Sequence, residues 1–133
     1  MPDAKGPVYT VLVAEDNAQH LELLVTYLDV MPDVRVITAS QGLEALQKVQ
    51  AYMPDLVLLD IMMPKMSGFE VCKRIKGDPK TRDIIVVMVT ALNETGDVER
   101  AAECGTDDYL AKPVDRNALI DLIRNQLTSR NRA

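Results

Sequence analysis

One stretch of the chain, residues 55–60, constrains the fold more than any other. It reads Asp-Leu-Val-Leu-Leu-Asp, so four apolar residues end at Asp60, and Pro64 and Gly68 follow in a turn-forming segment. A short apolar run between turn residues predicts a strand buried on both faces. An acid at the end of such a strand lies at the carboxyl edge of a sheet, where open α/β sheets bind their ligands. An isolated aspartate there would ordinarily cap a turn, so its function depends on its companions.

The rest of the chain alternates strand and helix patterns. Apolar, β-branched runs predict strands at 8–14, 34–39, 55–60, 84–89 and 108–111. Apolar residues at helical spacing predict helices beginning near residues 18, 40, 68 and 115, with another carrying Val98, Ala101 and Ala102. Regular alternation of apolar strands with helices indicates a parallel sheet covered on both sides. With five strands, the flavodoxin-like doubly wound (βα)5 fold with strand order 2-1-3-4-5 fits best.

Length and composition exclude several classes of protein. A chain of 133 residues suits one domain; we expect a disordered lead-in at 1–7, the domain at 8–128, and a polar tail or the start of a linker at 129–133. A net charge of -5 argues against direct nucleic-acid binding, and no apolar run is long enough for a membrane span. Cys72 and Cys104 lack CxxC spacing, which predicts buried thiols in a reduced, cytoplasmic protein.

The predicted strand order brings five polar side chains to one edge of the sheet. Strands one and three are neighbours, so Glu15 and Asp16 converge with Asp60. Like charges packed this closely raise one another's pKa values unless a cation neutralises them, and ligation by oxygen alone favours Mg2+. Strands four and five end at Thr90 and Lys112. Acids, a metal ion, a hydroxyl and a lysine together indicate a phosphoryl-transfer site, in which a carboxylate can be the nucleophile.

Two other interpretations of these residues are weaker. A flavin or nucleotide site needs a glycine-rich loop after the first strand. The loop here is Glu15-Asp16-Asn17, which repels phosphate unless a metal ion bridges the charges. His20 is the chain's single histidine. It lies on the predicted first helix beside polar residues, and we interpret it as a surface residue rather than a phosphotransfer group.

From about Val8 to Leu127 the chain resembles the receiver domain of bacterial two-component response regulators. The stretch from Asp60 to Thr90 most resembles receivers attached to diguanylate cyclases and single-domain regulators of that kind. The resemblance rests on separated motifs in the family's order: Glu15-Asp16, Asp60 followed by Met-Met-Pro and Ser-Gly, Thr90-Ala91, and Asp-Tyr-Leu-Ala-Lys-Pro at 108–113.

The resemblance implies a role for each residue of the site. Asp60 would accept a phosphoryl group from a sensor histidine kinase or a phosphotransfer protein. Asp16, Asp60 and the backbone carbonyl of Met62 would bind Mg2+, with Glu15 helping through water. Lys112 would pair with the phosphoryl group, and its peptide bond to Pro113 would be cis. The chain would catalyse only its own phosphorylation and dephosphorylation.

The resemblance also implies a switch. Thr90 would move to hydrogen-bond a phosphoryl oxygen, and Tyr109 would turn inward into the space left behind. This would reshape the face made by the predicted fourth helix, fifth strand and fifth helix, and so control a downstream protein or output domain. Dimerisation through the same face on phosphorylation is a further option, as in many receivers.

Some positions depart from the commonest family pattern. Glu15 replaces the more frequent aspartate, which would alter the metal geometry. Met62 and Leu92 are apolar where polar groups could orient a hydrolytic water, so we predict slow loss of phosphate. An aspartyl-phosphate phosphatase would need a second acid two residues after Asp60, where Met62 stands. A receiver-like binding module that no longer takes phosphate is disfavoured by the intact set of acids, threonine and lysine.

Overall fold

The computed structural model describes residues 9–90 and 103–131, except for the side chains of Thr90, Arg130 and Asn131. Within these ranges the strands are β1 Tyr9–Ala14, β2 Val34–Ala39, β3 Leu56–Asp60, β4 Ile85–Thr90 and β5 Asp108–Ala111. The helices are α1 Ala18–Leu28, α2 Gly42–Tyr52, α3 Gly68–Gly77 and α4 Arg116–Asn131. None of these helices is long and apolar enough to cross a membrane.

Helix α4 is the predicted fifth helix. The predicted fourth helix, with Val98, Ala101 and Ala102, lies outside the described residues. So do the lead-in at 1–7, Leu92 and the last two residues of the tail.

The five strands form one parallel sheet in the order β2-β1-β3-β4-β5, which confirms the predicted flavodoxin-like topology. The chain runs from β1 to the edge strand β2 and then returns to β3 on the other side of β1. Strands β1 and β3 are in register, with Ala14 opposite Leu59. The residues that follow these two positions, Glu15 and Asp60, therefore leave the sheet side by side at its point of reversal.

The central strand β3 separates two apolar cores. Val57 and Leu59 pack with residues of α2 and α3, whereas Leu56 and Leu58 pack on the opposite face with residues of α1 and α4. All five residues of β3 are buried. This two-sided burial explains why residues 56–59 are uniformly apolar rather than alternating.

The connection from β3 to α3 is unusually close. Ser67 caps α3 by accepting a hydrogen bond from the Glu70 N–H at 3.3 Å, and the Gly68 N–H donates to the Ile61 carbonyl at 2.9 Å. A Cβ atom at Gly68 would lie 2.4 Å from the Asp60 carbonyl oxygen and 2.9 Å from Ile61 Cα. Only glycine allows the first turn of α3 to rest on the backbone of Asp60.

Candidate functional site

Three carboxylates meet at the carboxyl edge of the sheet, as predicted. Glu15, Asp16 and Asp60 each offer an oxygen within 4.8 Å of the others. Glu15 and Asp60 are only 1% and 2% exposed, whereas Asp16 is exposed to solvent. The cluster therefore combines two buried carboxylates with one that is open to solvent.

Lys112, which directly follows β5, reaches the same site. The Lys112 Nζ lies 3.0 Å from Asp60 Oδ1 and 3.6 Å from Glu15 Oε1, and its side chain is 29% exposed. The peptide bond between Lys112 and Pro113 is cis, in agreement with the resemblance. One ammonium thus faces two buried carboxylates, which leaves the site with an excess of negative charge.

The electrostatics of Asp60 reflect this excess. Burial raises the pKa of the Asp60 carboxyl group, the Lys112 ammonium opposes that rise, and the neighbouring Glu15 carboxylate adds to it. Although Lys112 is close, no described group donates to Asp60 Oδ1 in hydrogen-bonding geometry. The Lys112 ammonium balances only part of the negative charge of Glu15, Asp16 and Asp60, so a further cation would stabilise the cluster.

The donor set of the site fits magnesium. The clustered side chains offer carboxylate oxygens only. A hard divalent ion that keeps several waters prefers such oxygens, particularly where one acid is open to solvent. Glu15, Asp16 and Asp60 are therefore suited to hold Mg2+, and the part assigned to the Met62 carbonyl stays a prediction.

The remaining predicted residues are Met62, Thr90 and Tyr109. The Met62 side chain is 76% exposed in the loop after β3. Thr90 ends β4 opposite Ala111, the residue before Lys112, so its backbone is at the same edge, but its side chain lies outside what the structure describes. Tyr109 in β5 is 44% exposed. The roles assigned to Thr90 and Tyr109 therefore stay predictions.

His20, interpreted from the sequence as a surface residue, is half-buried beside the acidic cluster. Its side chain is only 19% exposed, and its Nδ1 lies 2.5 Å from Glu15 Oε1. The Asn17 N–H contacts the other oxygen, Glu15 Oε2, at 3.2 Å. Asn17 also caps α1 by accepting a hydrogen bond from the His20 N–H.

The sequence profile of the response regulator receiver domain matches residues 11–124. The chain belongs to the response regulator receiver family. It is 41% identical over 115 residues to the response regulator PleD of Caulobacter vibrioides, which is 86% of this chain but 25% of PleD. It is 36% identical over 118 residues to the polar-differentiation response regulator DivK of Brucella anthropi, covering 89% of this chain and 95% of DivK.

Solved structures agree with this assignment. The receiver domain of the sensor histidine kinase PA1611 from Pseudomonas aeruginosa is 25% identical to this chain and superposes with a TM-score of 0.83. The match covers 90% of this chain and 98% of that domain, which was solved with a magnesium ion coordinated in its active site cleft. The receiver of this chain is thus similar to receivers found both in response regulators and in a histidine kinase.

Proposed function

We propose that this receiver accepts a phosphoryl group on Asp60 from a sensor histidine kinase or a phosphotransfer protein, in a reaction that requires Mg2+. The observation that carries the proposal is the geometry of Asp60: a buried carboxylate, grouped with Glu15 and Asp16 and 3.0 Å from the Lys112 ammonium. In the transfer, a carboxylate oxygen of Asp60 forms a bond to phosphorus while the phosphorus–nitrogen bond of phosphohistidine breaks. The electron pair of that bond stays with the imidazole.

The side chains of the site divide the work. Glu15, Asp16, Asp60 and the Met62 carbonyl would hold Mg2+, which when bound neutralises negative charge on the carboxylates and on the phosphoryl oxygens. Lys112 already lies at Asp60, so its ammonium can pair with a phosphoryl oxygen without a large movement. Burial of Asp60 limits the access of water to the nucleophile.

Phosphorylation of Asp60 would change the shape of one face of the domain. The Thr90 hydroxyl would bond to the phosphoryl group, and Tyr109, which is 44% exposed, would turn inward. The altered face comprises the predicted fourth helix, β5 and α4. It would bind a downstream protein, an output domain or a second copy of the chain, in the cytoplasm. The chain would act as a switch, with no catalysis beyond its own phosphorylation and dephosphorylation.

Incubation with Mg2+ and acetyl phosphate, read by intact mass, tests the acceptor. We expect the wild type to gain one phosphoryl group, and we expect Asp60→Asn, or the wild type with EDTA, to gain none. Asp55→Asn is a matched control, since Asp55 lies at the opposite end of β3 and should leave phosphorylation intact. Equal gain by the wild type and Asp60→Asn, or no gain by either, would overturn the proposal.

The lifetime of the phosphorylated protein tests a finer point. The Met62 side chain is apolar and exposed beside the site, and Leu92 is apolar in the sequence, so neither can hydrogen-bond an attacking water. We therefore expect the phosphoryl group to be lost slowly once acetyl phosphate is removed, and faster in Met62→Gln. A half-life of seconds in the wild type would contradict this prediction.

A further inference from the structure

Cys72, in α3, and Cys104, in the segment before β5, lie in contact within the core. The Cys72 Sγ donates to the Cys104 carbonyl oxygen at 3.3 Å, although 32 residues separate them in the sequence. Both belong to the core packed against α2 and α3, and neither is in a disulfide. They are the chain's two cysteines, and the proposed phosphoryl transfer uses neither of them.

The two thiols differ in access. Cys72 is completely buried, whereas Cys104 is 7% exposed and lines a cavity of about 260 Å³. The other described residues lining this cavity are Ser67, Phe69, Glu70, Lys73 and Glu103. A water molecule occupies roughly 30 Å³ in the liquid, so the cavity can admit a small oxidant. Such a molecule would reach Cys104 before Cys72.

The two thiols also differ in chemistry. The neighbouring Cys72 thiol lowers the pKa of Cys104 to about 7, against the effect of burial, with further help from the Thr106 backbone and the Lys76 ammonium. The Cys104 thiol, together with burial, raises the pKa of Cys72. Lys76 is also paired with Asp107 at 2.7 Å. The opposite directions of the two shifts make Cys104 the thiol of the pair that ionises first.

We propose that Cys104 and Cys72 form an oxidation site, at which a small hydroperoxide reacts with Cys104 and Cys72 then closes a disulfide. In the first step the Cys104 sulfur forms a bond to a peroxide oxygen, the oxygen–oxygen bond breaks, and hydroxide or alkoxide leaves and takes a proton. In the second step the Cys72 sulfur attacks the sulfenic sulfur, the sulfur–oxygen bond breaks, and water leaves with the Cys72 proton. The dithiol loses two electrons, and the peroxide is reduced to water, or to an alcohol and water.

The disulfide would join two elements that reach the phosphoryl-transfer site from opposite directions. Helix α3 begins at Gly68, against the backbone of Asp60. Cys104 leads into β5 through Thr106, whose hydroxyl donates to the Val86 carbonyl at 3.0 Å, and β5 is followed by Lys112. Oxidation would therefore fix α3 to the start of the strand that carries Tyr109.

Hydrogen peroxide at low molar excess, followed by denaturing alkylation and intact mass, tests the proposal on the whole chain. We expect wild-type protein to lose two hydrogens, to resist alkylation at both cysteines, and to yield a Cys72–Cys104 linked peptide. In Cys72→Ser, dimedone should trap a sulfenic acid on Cys104, whereas Cys104→Ser should react at Cys72 at least tenfold more slowly. Reaction of Cys104 should be about tenfold faster at pH 8 than at pH 6, following its thiolate fraction.

Three results would overturn the proposal: oxidised wild type without the internal disulfide, disulfide-linked dimers in its place, or equal reactivity of the two single variants. If a serine variant does not fold, timed alkylation of the native wild type replaces it, and Cys104 must be labelled before Cys72. These readouts are masses of cysteine peptides. They are therefore independent of whether Asp60 accepts a phosphoryl group.

Discussion

Acidic side chains lie at both ends of the parallel strands, at an amino edge and a carboxyl edge of the sheet. Those at the amino edge stabilise the fold, and those at the carboxyl edge do not. At the amino edge, Asp55 precedes β3 and accepts the Thr10 N–H at 2.8 Å. Asp107 precedes β5 and accepts the Val86 N–H at 2.8 Å. Each carboxylate satisfies a backbone donor of a neighbouring strand, so these acids tie strands together.

At the carboxyl edge the acids face one another. Glu15, Asp16 and Asp60 converge within 4.8 Å, and within the described part of the chain Lys112 is the one ammonium that contacts them. The amino edge thus uses acids to stabilise the fold, whereas the carboxyl edge keeps them at the expense of stability. Local arrangements that weaken the fold are expected where a protein has a function.

The largest expected effect concerns how the carboxyl edge keeps its shape although its three carboxylates repel one another. If close backbone packing holds it, Gly68→Ala should destabilise the protein by about 2 to 4 kcal/mol, since the added Cβ would lie 2.4 Å from the Asp60 carbonyl oxygen and backbone cannot rotate away. Phosphorylation of Asp60 should slow as well. Urea denaturation and the acetyl phosphate assay measure the two effects.

Gly77→Ala is the matched control for this change. It lies at the other end of the same helix, and a Cβ there would meet nothing within 4 Å. Its free energy of unfolding should stay within about 1 kcal/mol of the wild type. Equal losses in the two variants would show that contact of residue 68 with the Asp60 backbone does not determine the result.

The amino edge should respond next most strongly. Asp55→Ala removes the acceptor of the Thr10 N–H and should lower the free energy of unfolding by about 1 to 3 kcal/mol. Asp29→Ala, at an exposed acid after α1, should change it by less than about 0.5 kcal/mol. Urea denaturation of the three proteins is the measurement. If Asp55→Ala leaves the free energy of unfolding unchanged, the acids of the amino edge do not stabilise the fold.

Asp60→Asn should act in the opposite direction and stabilise the metal-free protein by about 0.5 to 2 kcal/mol. In the wild type, burial raises the pKa of the Asp60 carboxyl group, so the folded state holds this proton more tightly than the unfolded state does. Below the unfolded pKa of about 3.9, Asp60 is protonated in both states and does not lower the stability of the wild type. This contribution of the protonated group is lost as pH rises through the folded pKa. The gain in free energy of unfolding from Asp60→Asn should therefore be small at acid pH and reach its full value at neutral pH.

Thermal unfolding in EDTA at several pH values measures this advantage. Adding Mg2+ should raise the unfolding temperature of the wild type more than that of Asp60→Asn, because the ion neutralises the charge that the variant lacks. A variant less stable than the wild type at neutral pH in EDTA would mean that the Lys112 contact outweighs the burial of Asp60.

Much of this comparison could be predicted from the sequence. The apolar run before Asp60 indicated a strand buried on both faces, and the alternation of strands with helices fixed the neighbours of that strand. Once β1 and β3 are adjacent, the convergence of Glu15, Asp16 and Asp60 follows from chain direction alone. Helix limits were predicted to within a residue or two: α2 begins at Gly42 and α4 at Arg116.

The contacts that could not be predicted depend on strand register and on the rotation of helices and side chains. The bond from the Thr10 N–H to Asp55 requires the register of β1 against β3, which no local pattern encodes. The position of His20 requires the rotation of α1 about its own axis and a side-chain rotamer. Beside polar residues, a histidine is as compatible with solvent as with the site.

The smallest expected effect tests this missed residue. Both oxygens of Glu15 have partners, His20 Nδ1 on Oε1 and the Asn17 N–H on Oε2, so the carboxylate is held in one orientation beside Asp60. His20→Ala should loosen it and weaken Mg2+ binding roughly two- to fivefold, which is less than about 1 kcal/mol. Amide chemical shifts during a Mg2+ titration measure the affinity, with Gln19→Ala, on the exposed side of α1, as control. Tighter binding in His20→Ala would show instead that the imidazole competes with the metal for Glu15, and would make His20 a residue that opposes the site rather than one that orders it.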